Sequence, residues 1–273
     1  MFSIQITISG GLATAAAKPL PGTSCATWIA RASTASCGSP IPVVGDERRE
    51  HDVIVAAVRA WPDRFTGAMS PHLYQPDDCF RDEVRRCVET RGLRALKIQP
   101  QFSGLNPMGK RAEWVFGIAN DYRLPVVFHT GSGATFALPS LLIPVARQYP
   151  EPPVSVAHRG GPTCYLEAIV PARLCPNLLL DVSSLMPHQV LEVLRHVPAE
   201  RVMARSDPPE SAEVELGEIV SLPVSDGVKR AVLWDTPRNL LKNSLFRKAA
   251  SRVENSWPTN GPESIGSGLA MVC

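Results

Sequence analysis

Short apolar runs that end at a polar residue recur through the middle of this chain, and glycine or proline follows them. The clearest run, Leu124–Phe128, ends at His129 and is followed by a glycine-containing loop. Short uninterrupted apolar runs bounded by proline and glycine predict strands that are buried on both faces. Such strands form parallel sheets whose two faces are covered by helices. The pattern therefore predicts an α/β fold.

Helical patterns alternate with the strand patterns from residue 46 onwards. Strands are predicted to start near Phe65, Leu93, Pro125, Val154, Leu178 and Arg201. The intervals between these starts fit one βα unit each. Two weaker strand candidates, Ile4–Ile8 and Pro40–Val44, would complete an eight-stranded barrel. We therefore predict a TIM (β/α)8-type barrel that is incomplete or irregular at its N-terminal end. A doubly wound open sheet is the alternative, although no glycine-rich phosphate loop follows the first strand.

The composition divides the chain into three parts. Residues 10–42 are rich in alanine, serine, threonine, glycine and proline and contain few large apolar side chains, so they can bury little area. We predict an irregular, low-complexity segment over residues 1–45, a barrel domain over residues 46–242 and a C-terminal tail over residues 243–273. A transit-like role for the first segment stays open, because acidic residues are absent before Asp46.

Charge, hydropathy and cysteine content narrow the function classes. The 273 residues carry a formal net charge of +2 and 20% charged residues, which gives no reason to expect a nucleic-acid or membrane partner. No apolar run approaches the roughly 18 residues that span a bilayer, and no secretory signal is recognisable. The 7 cysteines are scattered without a CxxC pair, which favours reduced thiols. We predict a cytoplasmic protein that acts on a small-molecule substrate, and a homo-oligomer stays open.

The polar residues at three predicted strand ends are the strongest functional signal. His129, His158 and Asp207 each close a strand, and the carboxyl ends of parallel barrel strands meet on one face. Imidazole and carboxylate groups are ligands of zinc and similar divalent ions. A metal ion lowers the pKa of its bound water to about 7, which makes hydroxide available at neutral pH. A single metal site is one interpretation, and separate packing residues are the other.

Two further residues are candidates for substrate binding. Lys97 alternates in phase with Gln99 along its strand, so we expect it to face the barrel interior, as a substrate contact or paired with an acid. His72 lies at the end of the preceding strand, where it either leans into the barrel mouth or belongs to a surface loop. Asp181 closes another strand and either supports the site or forms a turn.

Seven segments occur in an order and spacing that point to one enzyme family. They are Trp61–Gly67, Gly92–Pro100, Leu124–Gly131, Ala157–Gly161, Asn177–Ser183, Arg201–Pro208 and Asp235–Leu241. From about Asp52 to Leu241 the chain resembles the amidohydrolase-related, metal-dependent hydrolases of the TIM-barrel type. This family includes the aminocarboxymuconate-semialdehyde decarboxylase group. No single segment is decisive, and the resemblance lies in their order and spacing.

The resemblance implies a role for each strand-end residue. His129 matches a metal ligand of the family, and His158 matches either a ligand or an acid/base group beside the metal. Asp207 matches the ligand that handles the proton of the attacking water. The implied cofactor is one divalent ion, expected to be zinc. The implied function is hydrolysis of a small amide, ester or lactone, and the alternative is non-oxidative decarboxylation of an aromatic or muconate-like acid.

Two departures from the family pattern leave a further alternative open. The family's first strand carries a His-x-His pair, whereas the first histidine of this chain is His51. Arg205 replaces the glycine that usually precedes Ser-Asp in the family. Both changes are expected to weaken metal binding. A catalytically impaired barrel, retained as a binding or scaffold module, is therefore the alternative to an enzyme.

Overall fold

Seven parallel strands form one sheet in the computed structural model, which describes residues 36–40, 46–62, 65–206 and 211–245. The strands are β1 (Ser36–Gly38), β2 (Phe65–Met69), β3 (Ala95–Ile98), β4 (Val126–His129), β5 (Val154–Ala157), β6 (Leu178–Asp181) and β7 (Val202–Met203). Each strand pairs in parallel with the next one along the chain. A doubly wound sheet would reverse its strand order at a switch point. The sequential order excludes that alternative and confirms an incomplete TIM-type barrel.

Helices fill the connections between the strands. They are α1 (Glu47–Ala60), α2 (Asp77–Arg85), α3 (Pro100–Ser103), α4 (Lys110–Asp121), α5 (Ile143–Gln148), α6 (Gly161–Leu174), α7 (Pro187–His196), α8 (Ala212–Ser221), α9 (Asp226–Arg230) and α10 (Thr236–Leu245). π-helical turns cover Arg86–Thr90 and Ala231–Asp235, and 3-10 turns cover Pro139–Leu142, His158–Gly160 and Ala199–Arg201. No helix in the described ranges is long and apolar enough to cross a membrane. The cytoplasmic location and a homo-oligomer stay predictions.

The N-terminal edge of the sheet differs from the sequence-based expectation. β1 pairs with β2, with Cys37 opposite Thr66, inside the segment predicted to be irregular. Three small residues show no alternating apolar pattern, so only this pairing defines the strand. Of the predicted strand Pro40–Val44 the structure describes Pro40, which is not in a strand, and Ile4–Ile8 lies outside the described residues.

Alternation along the strands separates an outward row of side chains from an inward row. The outward row consists of register neighbours that belong to the main hydrophobic core: Ile98, Phe128, Val156, Leu180 and Val202. Phe116 of α4 packs on Phe128 with ring centroids 6.5 Å apart. Burying one phenylalanine side chain stabilises the fold by about 1.5–3 kcal/mol. This apolar contact packs α4 against the sheet.

The inward row carries the polar residues of the barrel. Lys97 and Ser155 lie in one inward layer because both are in register with Val127. His129 and Asp181 lie at the ends of β4 and β6, two residues beyond this layer. Lys97 is only 2% exposed, in agreement with its predicted inward phase. The sheet therefore collects its buried titratable groups in the barrel interior.

Prolines divide one predicted helix and leave another intact. The helix predicted over Ala137–Tyr149 is a 3-10 turn followed by α5, and Pro139 and Pro144 each lie in the first turn of their own element. Proline is tolerated there because the missing N–H has no partner inside the helix. α6 keeps Pro171 in its interior.

Most of the cysteines that the structure describes are free thiols, as the sequence predicts. Cys37, Cys87, Cys164 and Cys175 are free, and burial raises the pKa of the Cys37 thiol to about 11. Cys79 is disulfide-bonded, which departs from the expectation of reduced thiols. The buried free thiols act as small apolar side chains.

Candidate active site

His129 and His158 lie side by side at the carboxyl ends of β4 and β5. Their rings meet edge to face, with centroids 4.9 Å apart. His129 is the last residue of β4, and His158 begins the 3-10 turn that follows β5. Active sites of TIM barrels form at this end of the strands. The structure therefore brings these two predicted site residues together, while Asp207 lies outside the described residues and its roles stay predictions.

An unusual backbone turn holds His158 in place. His158 and Arg159 have φ values of 60° and 31°, in a region that side-chain-bearing residues seldom adopt. Gly160 follows at φ 83°, and a Cβ there would come within 2.6 Å of a neighbouring side-chain carbon. The N–H of Gly160 donates to Oγ1 of Thr130 at 2.8 Å, and that hydroxyl donates to the carbonyl of Ala157 at 2.7 Å. These bonds tie the turn to the end of β4.

The buried guanidinium of Arg159 offsets the strain of this turn. Nη1 and Nη2 donate to the carbonyl oxygen of Ser183 at 2.8 and 2.7 Å, and Nη1 also donates to the carbonyl of Asp181. Burial lowers the pKa of Arg159 to about 9, with Asp181 opposing the shift, so the group is still a cation at pH 7. Hydrogen bonds from a charged donor are about twice as strong as neutral ones. The turn after β5 is thereby fastened to the loop after β6.

Both histidines are neutral at physiological pH. Burial lowers the pKa of His129 to about 4, with Lys97 and Arg205 adding to the shift and Asp181 opposing it. Burial also lowers the pKa of His158 well below its ordinary value, and Arg205 and Lys97 again add to the effect. A neutral imidazole can bind a metal ion or accept a proton, whereas an imidazolium can do neither.

Two buried cations and one buried carboxylate surround the histidine pair. Lys97 and Arg205 are almost fully buried and Asp181 is completely buried. Nη1 of Arg205 lies 3.3 Å from Oδ2 of Asp181. Oδ1 of Asp181 accepts the N–H of Ser183 at 2.9 Å. Asp181 therefore forms a turn beside the histidine pair, and its support of the candidate site, the other interpretation that the sequence left open, stays a prediction. Substrate binding by Lys97 stays a prediction.

His72 occupies a surface position. It lies in the loop after β2, its side chain is exposed, and its backbone N–H donates to the carboxylate of Glu47. This position agrees with the surface-loop interpretation of the sequence. A role for His72 in substrate binding stays a prediction.

A second group of buried ligand-type side chains was missed by the sequence reasoning. His51 of α1, Glu83 of α2 and Cys87 of the following π-helical turn place their donor atoms within 4.8 Å of one another. Nε2 of His51 accepts the N–H of Ser70 at 2.9 Å, so the proton of this neutral ring is on Nδ1. Nδ1 in turn lies 2.7 Å from Oε1 of Glu83 and donates to it.

This second group is a hydrogen-bonded clamp and fits a metal ion poorly. A metal on Nδ1 of His51 would move the proton to Nε2, where it would face the N–H donor of Ser70. The carboxylate of Glu83 is also paired with Arg48 and Arg86 at 3.0 and 2.8 Å, and two guanidinium cations oppose a divalent ion. The group joins α1, β2 and α2.

The nitrogen atoms of the histidine pair at the strand ends distinguish it from the clamp, since Lys97 and Arg205 oppose a divalent ion here as the two arginines do there. Nδ1 of His129 is buried and makes no hydrogen bond within the described residues. Nδ1 of His158 is engaged by Oγ of Ser183 at 2.9 Å, so Nε2 is the nitrogen through which His158 would bind. Buried neutral imidazoles are suitable ligands for zinc or manganese. The pair can therefore supply two ligands of one ion.

Comparison with protein families places this chain in a class of enzymes. Residues 41–242 match the model of the family described as Amidohydrolase, so the chain belongs to the amidohydrolase family. Members of this family are metal-dependent enzymes, and the family resemblance seen in the sequence is confirmed. A comparison with the curated proteins finds no match.

Solved structures of similar fold include two decarboxylases. An uncharacterised TIM-barrel protein from Bordetella bronchiseptica has a TM-score of 0.63 and 19% identity, over 71% of this chain and 72% of that one. 5-Carboxyvanillate decarboxylase from Sphingomonas paucimobilis has a TM-score of 0.60 and 15% identity, over 72% of each chain. Dihydroxybenzoic acid decarboxylase from a Polaromonas species, with bound manganese and the inhibitor 2-nitroresorcinol, has a TM-score of 0.56 and 15% identity, over 72% and 74%. These similarities show the TIM-barrel fold.

Proposed function

We propose that this protein is a metal-dependent enzyme that removes the carboxylate of a small aromatic acid without an oxidant. The charge of the barrel interior is the observation that carries this proposal. Lys97 and Arg205 are buried beside two neutral imidazoles, and Arg205 is paired with Asp181. Charged donors bind carboxylates strongly, so this interior suits an acidic substrate. Two proteins of similar fold are decarboxylases of hydroxylated aromatic acids.

The proposed reaction replaces a carbon–carboxylate bond by a carbon–hydrogen bond. The carboxylate leaves as CO2, the bonding electrons stay on the ring carbon, and that carbon takes up one proton. His129 and His158 would hold the divalent ion, proposed as zinc, which supplies polarisation of the substrate oxygens when bound. Lys97 orients the carboxylate by its charge. Asp207 handles the proton, and His158 takes part where its Nε2 is not bound to the ion.

Hydrolysis of a small amide, ester or lactone is the second candidate. The neutral state of His158 favours it, because a neutral imidazole can accept the proton of an attacking water. Both candidates use the same residues, so the products separate them. The impaired barrel that the missing His-x-His pair suggests would form neither product.

The experiment offers both substrate classes to protein loaded with Zn²⁺ or Mn²⁺. One panel contains carboxylated phenols such as 2,6-dihydroxybenzoate and 5-carboxyvanillate, and the other contains small esters, amides and lactones. Release of CO2 with the matching phenol supports the proposal. Hydrolysis products alone would replace it with the second candidate, and no turnover of either panel would overturn the enzymatic function.

Two variants tie any activity to the site. His129→Ala should reduce turnover below detection, because it removes one proposed ligand. Ser155→Ala is the matched control, since Ser155 is a buried residue of the neighbouring strand whose hydroxyl makes no hydrogen bond within the described residues. Activity that survives in His129→Ala would come from elsewhere in the preparation.

A further inference from the structure

The imidazole of His158 rests against a buried hydroxyl group from the next strand's loop. Oγ of Ser183 lies 2.9 Å from Nδ1 of His158. Ser183 is 1% exposed and His158 is 8% exposed, so water does not compete for this contact. The contact with Ser183 occupies Nδ1 of the ring, so Nε2 is the nitrogen that is available to the site.

The backbone of Ser183 is fixed from two sides. Its N–H donates to Oδ1 of Asp181 at 2.9 Å, and its carbonyl accepts both terminal nitrogens of Arg159. Asp181 is itself anchored by Arg205 through the opposite carboxylate oxygen. All of these groups are buried. The backbone of Ser183 is therefore held by buried partners, and its hydroxyl lies 2.9 Å from Nδ1 of His158.

The contact with Ser183 also bears on which imidazole nitrogen is left for the site. A neutral imidazole carries one proton, and either ring nitrogen can hold it. With the proton on Nδ1, directed at Oγ of Ser183 2.9 Å away, the lone pair of Nε2 is available to a metal ion or a proton.

We propose that Ser183 is a positioning residue that accepts a hydrogen bond from Nδ1–H of His158 and keeps the lone pair on Nε2. Asp181 supports this arrangement through the backbone of Ser183. The inference rests on the proposed function in one respect, because Nε2 matters only where His158 binds a metal ion or handles a proton. Partners of this kind typically change metal affinity by about 10–100-fold when they are removed.

The test reads the position of the proton directly, in protein without metal or substrate. Two-bond ¹H–¹⁵N correlation spectra of histidine-labelled protein distinguish the two neutral forms of each ring, and His158→Gln assigns the signal. The wild type is expected to show the proton on Nδ1 of His158. In Ser183→Ala, a clear fraction of the Nε2–H form should appear, and the Kd for Mn²⁺ should rise about tenfold or more.

Two variants separate positioning from packing. Ser183→Thr keeps the hydroxyl and should retain the wild-type spectrum and Mn²⁺ affinity. Ser155→Ala removes a buried hydroxyl of the same sheet that makes no hydrogen bond within the described residues, and it should change neither quantity. If Ser155→Ala alters the spectrum as much as Ser183→Ala does, packing explains the effect and the proposal is wrong.

The wild-type spectrum alone can overturn the inference, even when Ser183→Ala does not fold. A proton found on Nε2 of His158 would contradict it, and so would a Ser183→Ala variant with an unchanged spectrum and unchanged Mn²⁺ affinity. Failure of the proposed function has a different signature. The wild type would then show the proton on Nδ1, and Ser183→Ala would show the Nε2–H form, but neither substrate panel would be turned over. This result would keep the positioning role of Ser183 and reject the proposed reaction.

Discussion

Nη1 of Arg205 lies 3.3 Å from Oδ2 of Asp181 inside the barrel, and both side chains are almost completely buried. The pair links the end of β7 to the end of β6, next to the two histidines. A buried ion pair contributes little net stability compared with apolar packing, but the loss of one ion alone is strongly destabilising. Removing one partner leaves an uncompensated charge in a medium of low polarity.

Asp181→Ala should lower the free energy of unfolding by about 3–5 kcal/mol, the usual effect of breaking a buried pair. The substitution also removes the acceptor of the Ser183 N–H, which adds to the loss. Urea unfolding followed by circular dichroism measures the change. Asp121→Ala, at an exposed position of α4, is the control and should stay within about 0.5 kcal/mol of the wild type. Equal effects of both variants would contradict the structural role of Asp181.

Arg205→Gly should tighten Mn²⁺ binding by about tenfold, the equivalent of one pKa unit. The charge of Arg205 lowers the pKa of both histidines, and a field that opposes a proton also opposes a divalent ion. Titration calorimetry measures the Kd. Arg205→Lys keeps the positive charge and should bind Mn²⁺ with nearly wild-type affinity. A gain of similar size in both variants, or in neither, would rule out charge as the cause.

Glu215 provides a prediction on pH. Burial raises the pKa of Glu215 from 4.5 to about 7, and the charges of Asp181 and Glu218 add to the shift. The N–H of Ser184 opposes the shift because it donates to both carboxylate oxygens. The folded chain then holds this proton more tightly than the unfolded chain. Stability is therefore lost as the pH rises from about 4.5 through about 7. Glu215→Gln should resist urea better than the wild type at pH 8, and the difference should shrink at pH 5.

The control for this pH effect is Glu213→Gln, an exposed position of the same helix. It should leave the urea midpoint close to that of the wild type at both pH values. A gain for Glu215→Gln that is equally large at pH 5 and pH 8 would mean that the carboxylate does not titrate in this range.

The fold could be predicted because its strands are marked by local sequence. β4 is a continuous apolar run between Pro125 and the loop after His129, and such a run is buried wherever the fold places it. β1 could not be predicted, because Ser36–Gly38 becomes a strand only by pairing with β2. Local pattern therefore predicts the strands of the barrel centre and fails at its edge.

The histidine pair could be predicted and its supports could not. His129 and His158 each follow a recognisable strand, whereas the contact of Ser183 with His158 joins residues 25 positions apart in the chain. His51 lies between Glu50 and Asp52, a context typical of an exposed helix face, yet it is completely buried. Only the contacts of α1 with α2 and β2 explain its position.

Metal content distinguishes the two groups of buried ligand-type residues. Wild-type protein reconstituted with Zn²⁺ or Mn²⁺ should carry one ion per chain by mass spectrometry. His129→Ala and Asp207→Ala should lose it, because both residues are proposed ligands. His51→Ala should keep it in the folded fraction isolated by gel filtration, since the ring of His51 is engaged by Ser70 and Glu83 at its two nitrogens.

The same measurement can assign the metal centre to other residues or exclude it. Metal lost in His51→Ala and kept in His129→Ala would transfer the centre to the clamp between α1 and α2, where the Arg48 and Arg86 pairs of Glu83 would then have to rearrange. Wild-type protein that takes up no ion even after reconstitution would exclude the metal-dependent reaction. In that case the two positive charges of Lys97 and Arg205 beside the histidines would supply the physical reason, because they disfavour any further cation at that place.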